Sequence, residues 1–246
     1  RGWFLLTPVD SGAYEVRVSR EGFRRHAQPV SMLVNQALRL DVVLQTGSIS
    51  EVVTVTAPAS TLDRAAGSLR FRIGADQVAN LPLDGRNFLE LALLGPGAAP
   101  AAQGSAGSVR GDFAFNVNGA REDANAFLLD GGYNFDPKLN SVAVRPPVDA
   151  IREFEVLTSA PDASFGRSAG AQVNVVTRSG SNRREGTAYE FLRTGAFNAR
   201  NYFAPKSEPA PDYERHQYGG SFGAPIARDH WFVFADYEGT RLSEGV

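Results

Sequence analysis

The stretch FGRSAGAQVNVVTRSGSN, from Phe165 to Asn182, sets Gly166 and Gly170 just ahead of a β-branched run, Val173 to Thr177, and closes on a polar tail around Gly180. A residue without Cβ lets the backbone turn tightly and approach its neighbours. A β-branched run bounded by Gly and Ser signals a strand. Period two puts Val173, Val175 and Thr177 on one face and Asn174, Val176 and Arg178 on the other. The stretch contains neither Cys nor His, so it offers no nucleophile beside a base and no metal cage. Its role is mechanical: a strand of a larger assembly that leads into the next segment, or a Gly-turned strand that ends in a flexible loop.

The composition outside this stretch narrows the class. The chain has 246 residues, 43% of them hydrophobic, enough for a core and against wholesale disorder. Its 25 basic and 27 acidic residues leave a formal charge of −2, spread along the chain, which gives no reason to expect nucleic acid as a partner. Cysteine is absent, which excludes a disulfide framework, a thiolate zinc site and a Cys nucleophile. No run of 18 apolar residues could form a transmembrane helix, although a barrel would need none. The chain opens on Arg1-Gly-Trp-Phe as if cut inside a domain, so a fragment is expected, and the missing leader carries no information on secretion.

Along the chain the character changes three times. In residues 1–46, Ala13-Tyr-Glu-Val-Arg-Val-Ser and Leu38-Arg-Leu-Asp-Val-Val-Leu alternate around a turn at Glu21-Gly-Phe, the pattern of a small antiparallel sandwich. Residues 47–60 read as a linker containing the extended run Glu51, Val52, Val53, Thr54, Val55, Thr56. From 61 to 180 the elements are short and mixed. The spacing predicts helices at Ala75 to Leu81, at Asn87 to Leu94 before Gly95-Pro-Gly, and at Pro147 to Arg152. It predicts strands at Phe113 to Gly119, Ala126 to Gly131 and Phe154 to Thr158. After Gly180, three strands of eight to ten residues follow: Glu185 to Arg193, His216 to Gly223 and Trp231 to Thr240. A long polar loop, Gly195 to Glu214, joins the first two, and a tight turn, Ala224 to Asp229, joins the second pair. That asymmetry suits an outer-membrane barrel, with a soluble meander as the alternative.

Four motifs then carry a resemblance: Leu81-Pro-Leu-Asp-Gly-Arg-Asn-Phe-Leu-Glu-Leu, Asn118-Gly-Ala-Arg-Glu-Asp-Ala-Asn-Ala-Phe-Leu-Leu-Asp-Gly, Ile151-Arg-Glu-Phe-Glu-Val-Leu, and Phe165 to Gly180. Together they resemble the plug domain of TonB-dependent outer-membrane receptors, in particular the Oar-like group. Phe222-Gly-Ala-Pro-Ile-Ala-Arg-Asp and Phe232-Val-Phe-Ala-Asp-Tyr-Glu-Gly-Thr-Arg resemble the start of that group's barrel, and residues 1–46 the end of its carboxypeptidase regulatory-like sandwich. The resemblance covers essentially the whole chain. It implies a mainly β fold with some α: a partial sandwich at 1–46, a linker at 47–60, a mixed α/β plug at 61–180, and at 181–246 the first antiparallel strands, about three, of a barrel of about 22.

The resemblance implies a function too. The parent would sit in the outer membrane of a Gram-negative bacterium, contact lipid, bind an extracellular ligand of unknown identity and admit it when the periplasmic TonB protein pulls on the plug. A non-transporting surface binding or adhesion module is the alternative; an enzyme is not expected, and neither is a cofactor. Glu51 to Thr56 resembles the TonB box, which couples by adding a strand to a sheet edge. The last strand of the sandwich or a plain linker are alternatives. Gly166, Gly170 and Gly180 are the expected structural turns of the plug. Arg86, Arg110, Arg121, Arg145, Arg152 and Arg167 could hold a plug in a barrel through inward Asp and Glu, although a solvated surface is the commoner fate of an Arg.

Metal and catalytic readings gain no support. Asp130-Gly-Gly-Tyr-Asn-Phe-Asp lacks the spacing of a calcium loop and suits a tight turn, and His26, His216 and His230 stand isolated. In the last strand, Trp231, Val233, Ala235 and Tyr237 share one face, expected to meet lipid, and Phe232, Phe234, Asp236 and Glu238 the lumen face. Tyr218, Gly220 and Phe222 are expected outward on the preceding strand, with Gln217, Gly219 and Ser221 inward.

Overall fold

The computed structural model describes residues 2–7, 9, 12–32, 38–47, 52–54, 69–102, 104–105, 113–136, 138, 141–159, 166, 169–197, 199 and 213–244. The chain divides into two compact units, Arg1–Ser68 and Leu69–Val246.

In the first unit, β1 (Gly12–Val18) and β2 (Arg25–Met32) form an antiparallel hairpin, with Val18 opposite His26, and β3 (Val52–Thr54) adds in parallel along Arg25–Ala27. Gly22 supplies the positive φ of +80° that the turn requires. Ala27 and Val30 are the buried apolar side chains. One expectation is corrected here. Among the described residues Leu38 to Leu44 has no ladder partner: its side chains alternate between half-buried and exposed, but pairing begins only past its end, where the Gln45 carbonyl accepts from the Arg24 amide and Phe23 bridges Thr46. The strand that does pair, β2, went unread because Pro29 interrupts it. Pro29 is tolerated because β3 pairs no further than Ala27, so beyond that point the edge carries no ladder among the described residues.

The larger unit begins with a five-stranded mixed sheet. Its strands are β4 (Leu69–Gly74), β7 (Ala126–Leu129), β8 (Gly132–Tyr133), β9 (Ile151–Ser159) and β10 (Gln172–Thr177), ordered β4-β9-β10-β7-β8. A side hairpin pairs β5 (Ala98–Pro100) with β6 (Phe115–Val117). Only β10 and β7 run parallel. Helix α1 (Ala75–Asn80) buries Val78, and the 3₁₀ segment Phe88–Leu94 buries Phe88, Leu89, Leu91 and Ala92. These pack on Ile73, Phe154, Val156, Val173 and Val175 to make the core. Deep burial of so many large side chains stabilises this layer at about 1.5–3 kcal/mol each.

The opposite face of the same sheet is also buried, yet polar. Arg72 lies opposite Glu155 in register, and its Nε is 2.9 Å from Glu155 Oε1, with Arg70 Nη1 3.6 Å from the same oxygen. Gln172 and Asn174 continue that face. β4 escaped the sequence reading because its alternating arginines look like a solvated run; their partners lie on β9.

The last sheet is antiparallel: β11 (Glu185–Thr194), β12 (Tyr213–Ala227) and β13 (Trp231–Glu244), in that order. The strands outrun the sequence estimate. β12 continues through Ala227, so the turn shrinks from Ala224–Asp229 to Arg228–His230, and the register slips between Pro225 and Ala227, where a bulge accommodates the proline's missing donor. Ser221 pairs Asp236 and Gly219 pairs Glu238, while Phe222 pairs Ala235 and Ala224 pairs Val233. Directly paired residues share a face, so the acids lie with buried Ser221 and Gln217, and Tyr218, Phe222, Val233 and Tyr237 lie exposed on the other side. That is the division the alternation predicts. No helix among the described residues is long and apolar enough to cross a membrane.

Candidate gating and coupling site

The site is built on a short loop, Leu83 to Asn87, between α1 and the 3₁₀ segment. Gly85 (φ 60°) and Arg86 (φ 57°) both adopt the left-handed conformation. For Arg86, which carries a Cβ, this costs on the order of 1–3 kcal/mol. The loop is held by its own bonds: the Asp84 amide donates to Glu90 Oε2 at 3.0 Å, the Arg86 amide to the Leu83 carbonyl at 3.2 Å, and the Leu89 amide to Asn87 Oδ1 at 3.2 Å. Two consecutive left-handed residues turn the Arg86 side chain out of the loop and onto the third sheet.

There Arg86 links two parts of the unit. Its Nη2 donates to Asp149 Oδ2, on the 3₁₀ turn Val148–Ala150 that precedes β9, and its Nε lies 3.1 Å from Glu238 Oε2 on β13. The guanidinium stacks over two rings of β11, 4.2 Å from the centroid of Tyr189 and 5.1 Å from that of Phe191. Tyr189 Oη donates to the same Glu238 oxygen at 2.6 Å, and Thr187 Oγ1 donates to Asp149 Oδ1 at 3.3 Å. Arg86 and Asp149 are each 15% exposed and Glu238 20%, so the triad is largely withdrawn from water. Removing one partner of such a group strands the charge of the other.

A second contact lies on the same loop. Asp84 Oδ1 is 3.2 Å from Arg215 Nη2 and 3.6 Å from Arg193 Nη1, and the Gly85 carbonyl accepts from Gln217 Nε2 at 3.0 Å. The three cations Arg86, Arg193 and Arg215 thus balance the three anions Asp84, Asp149 and Glu238. Of the six arginines singled out in the sequence, Arg86 makes the link to the third sheet; Arg121 pairs with nearby Asp123 on the surface, and Arg110 and Arg167 lie outside the described residues. The partners of Arg86 escaped sequence reading, although the inward placement of Glu238 by alternation was a usable signal.

The candidate glycines divide. A Cβ at Gly170 would sit 2.6 Å from Asn125 Oδ1 and 2.9 Å from the Ala124 carbonyl oxygen, and one at Gly180 would sit 2.3 Å from the Val233 carbonyl oxygen on β13. Gly166 is exposed, and a Cβ there would meet open space, so no close approach requires it. The segment around Gly180 is stitched further to the β12–β13 turn, where Asn182 Nδ2 donates to Asp229 Oδ1 at 2.7 Å and the Asp229 amide returns a bond at 2.9 Å.

Val52, Val53 and Thr54 are extended and form an edge strand whose inner side is taken by β2; Glu51, Val55 and Thr56 lie outside the described residues. Asp130 and Gly131, at φ 49° and 81°, make the two-residue turn between β7 and β8, and both Asp130 oxygens accept from Thr177. No cluster of metal-ligating side chains occurs among the described residues.

Comparison with known proteins follows the same lines. Residues 176–246 match a family model described as an outer membrane beta barrel domain. The TonB-dependent transporter Oar of Myxococcus xanthus is 26% identical over 253 residues, a match that takes in 96% of this chain and 23% of that protein's length. Among solved structures, the siderophore receptor PirA from Acinetobacter baumannii superposes with a TM-score of 0.51 at 19% identity, over 72% of this chain and 24% of that one, a likeness of fold.

Proposed function

We propose, for this member of the TonB-dependent outer-membrane transporters of the Oar-like group, seated in the outer membrane of a Gram-negative bacterium, that residues 61–180 are a plug and residues 181–246 the first strands of the barrel around it. Residues 1–46 are then the end of a regulatory-like sandwich and 47–60 the linker that carries the coupling segment. The parent binds an extracellular ligand and admits it when the plug is loosened from the wall. The observation that carries this reading is Arg86, which bridges Asp149 on the mixed sheet's side and Glu238 on β13.

Ion pairs suit a gate. They hold one geometry, yet they can be exchanged for water without rebuilding an apolar core, as an apolar seam could not be. In the full-length parent reconstituted in planar bilayers, Arg86→Gln leaves Asp149 and Glu238 without their cation, and the expected result is a higher conductance with unchanged heat-modifiable mobility of the barrel. Unchanged conductance would remove the gating role from this latch.

Coupling to the periplasmic TonB protein rests on β3. Its outer edge carries no ladder among the described residues, so an incoming strand has donors and acceptors to meet. Val53→Pro removes a ladder donor and abolishes binding of the TonB periplasmic domain, read by calorimetry. Undiminished binding would return Val52–Thr54 to a purely structural edge.

A further inference from the structure

Arg193 and Arg215 stand directly opposite one another on β11 and β12, on the inward face, at the end of the strands where the 195–212 connection leaves the wall. Like charges placed opposite on neighbouring strands repel. Here one carboxylate serves both: Asp84 Oδ1 is the acid oxygen within ion-pair distance of either guanidinium among the described residues. At this end of the group two guanidiniums face one carboxylate, whereas at the other end Asp149 and Glu238 share the one guanidinium of Arg86. Each guanidinium carries five N–H donors in a planar fork suited to a two-oxygen anion, and Asp84 offers them one shared oxygen. Arg193 also stacks over Tyr213, its Cζ 5.3 Å from the ring centroid. Among the described residues Asp84 is 70% exposed and Arg193 49%.

We infer that Arg193, Arg215 and Tyr213 form an oxyanion-recognising station on the lumen wall, that Asp84 fills it as an internal stand-in, and that the cargo is a solute bearing a carboxylate or phosphate group. This rests on the gating reading above and names its ligand chemistry. Asp84 and Arg86 belong to one loop, so a cargo oxyanion that takes both guanidiniums releases one of the three anchors that hold the loop to the wall, the Gly85–Gln217 hydrogen bond and the Arg86–Glu238 pair being the others. Cargo binding thereby loosens the latch from the outside before any pull from the periplasm.

The test is calorimetric titration of the purified full-length parent in detergent with citrate and, in parallel, inorganic phosphate, with trimethyl citrate as the uncharged control. Asp84→Asn removes the competitor and tightens binding on the order of tenfold; Arg215→Gln weakens it by at least as much, and half-exposed Arg193→Gln by less. Misfolding cannot produce a gain, so the Asp84→Asn arm stands even if an arginine variant folds poorly. The preferred anion of the two identifies the group on the cargo. Unchanged or weaker binding by Asp84→Asn, or failure of that variant to take up either anion, overturns the station. The titration needs neither TonB nor conduction, so the two readings fail separately. Conductance that ignores Arg86→Gln while Asp84→Asn gains affinity removes the gate and keeps the station; the reverse removes the station and keeps the gate.

Discussion

The two sheets of the larger unit solve the same problem in opposite ways. The five-stranded mixed sheet has short strands, both faces covered, and a core in which Phe154, Val156 and Val173 are fully buried. The three-stranded sheet has much longer strands, yet on its outer face Tyr218, Phe222, Val233 and Tyr237 stand uncovered, while Gln217 and Ser221 are buried on the inner face. A water-soluble sheet places polar residues on its open face. Here the open face is the one that carries Tyr218, Phe222, Val233 and Tyr237, while Asp236 and Glu238 of β13 face inward, which is the order a lipid solvent demands. The mixed sheet gains its stability from protein packing; the long sheet keeps one apolar face uncovered among the described residues.

The largest expected effect tests the first half of that contrast. Phe154→Ala empties the centre of the mixed sheet and costs about 3–5 kcal/mol. Hydrogen exchange on the full-length parent should show the amides of β9 and β10 opening by that amount, with β12 and β13 unmoved. Equal loss of protection in both sheets would mean that they share one core, and the contrast would fall.

The second half is tested on the outer face. Ala235→Arg puts a charge where lipid is expected, at a cost of about 2–4 kcal/mol near the middle of the bilayer. Asp236→Asn, on the inner face, should be close to neutral. Val233→Arg, nearer the turn, should fall between. Assembly is read by heat-modifiable mobility in outer-membrane fractions. Equal assembly of Ala235→Arg and Asp236→Asn would reject lipid contact for this face.

The same contrast explains what the sequence disclosed. Alternation read the faces of β13 correctly: Asp236 and Glu238 lie opposite Ser221 and Gly219 on one side, and Ala235 and Val233 lie opposite Phe222 and Ala224 on the other. It misled at Leu38 to Leu44, where the alternation is present without a ladder, and it passed over β2 because of Pro29 and β4 because Arg70 and Arg72 find their acids on a strand more than eighty residues away. At Gly170 and Gly180 a Cβ would meet backbone from elsewhere in the chain, and at Gly166 it would meet open space. Arg86 was one candidate among six. Its partners lie 63 and 152 residues along the chain, and no local pattern links such distances.

A smaller effect sharpens the boundary between the two sheets. At Gly180 a Cβ would lie 2.3 Å from the Val233 carbonyl oxygen, closer than any packing allows, and the obstacle is backbone that cannot rotate away. Gly180→Ala therefore pushes the segment around residue 180 off β13, at a cost of about 1–3 kcal/mol. Exchange at the amides flanking Val233 should rise, while Gly166→Ala, in open space, leaves the same amides unchanged. A matching rise in both variants would show that chain stiffness, and not the contact with β13, is being measured.

The smallest effect concerns the loop that crosses from one sheet to the other. Asn87 caps the 3₁₀ segment Phe88–Leu94 through Oδ1, which accepts from the Leu89 amide, and the cap fixes the end of the loop that presents Asp84 and Arg86. Asn87→Ala costs about 1 kcal/mol, since the amide regains water once the cap is gone. Asn87→Asp keeps an acceptor at the same place and should restore the protection of Leu89. If the loop transmits order between the sheets, the cap variant also raises bilayer conductance, by less than Arg86→Gln, because Asp149 and Glu238 keep their cation and lose only its positioning. A conductance change as large as that of Arg86→Gln would place the latch in the loop's conformation and not in the ion pairs, and would move the boundary between the two sheets from the wall to the cap.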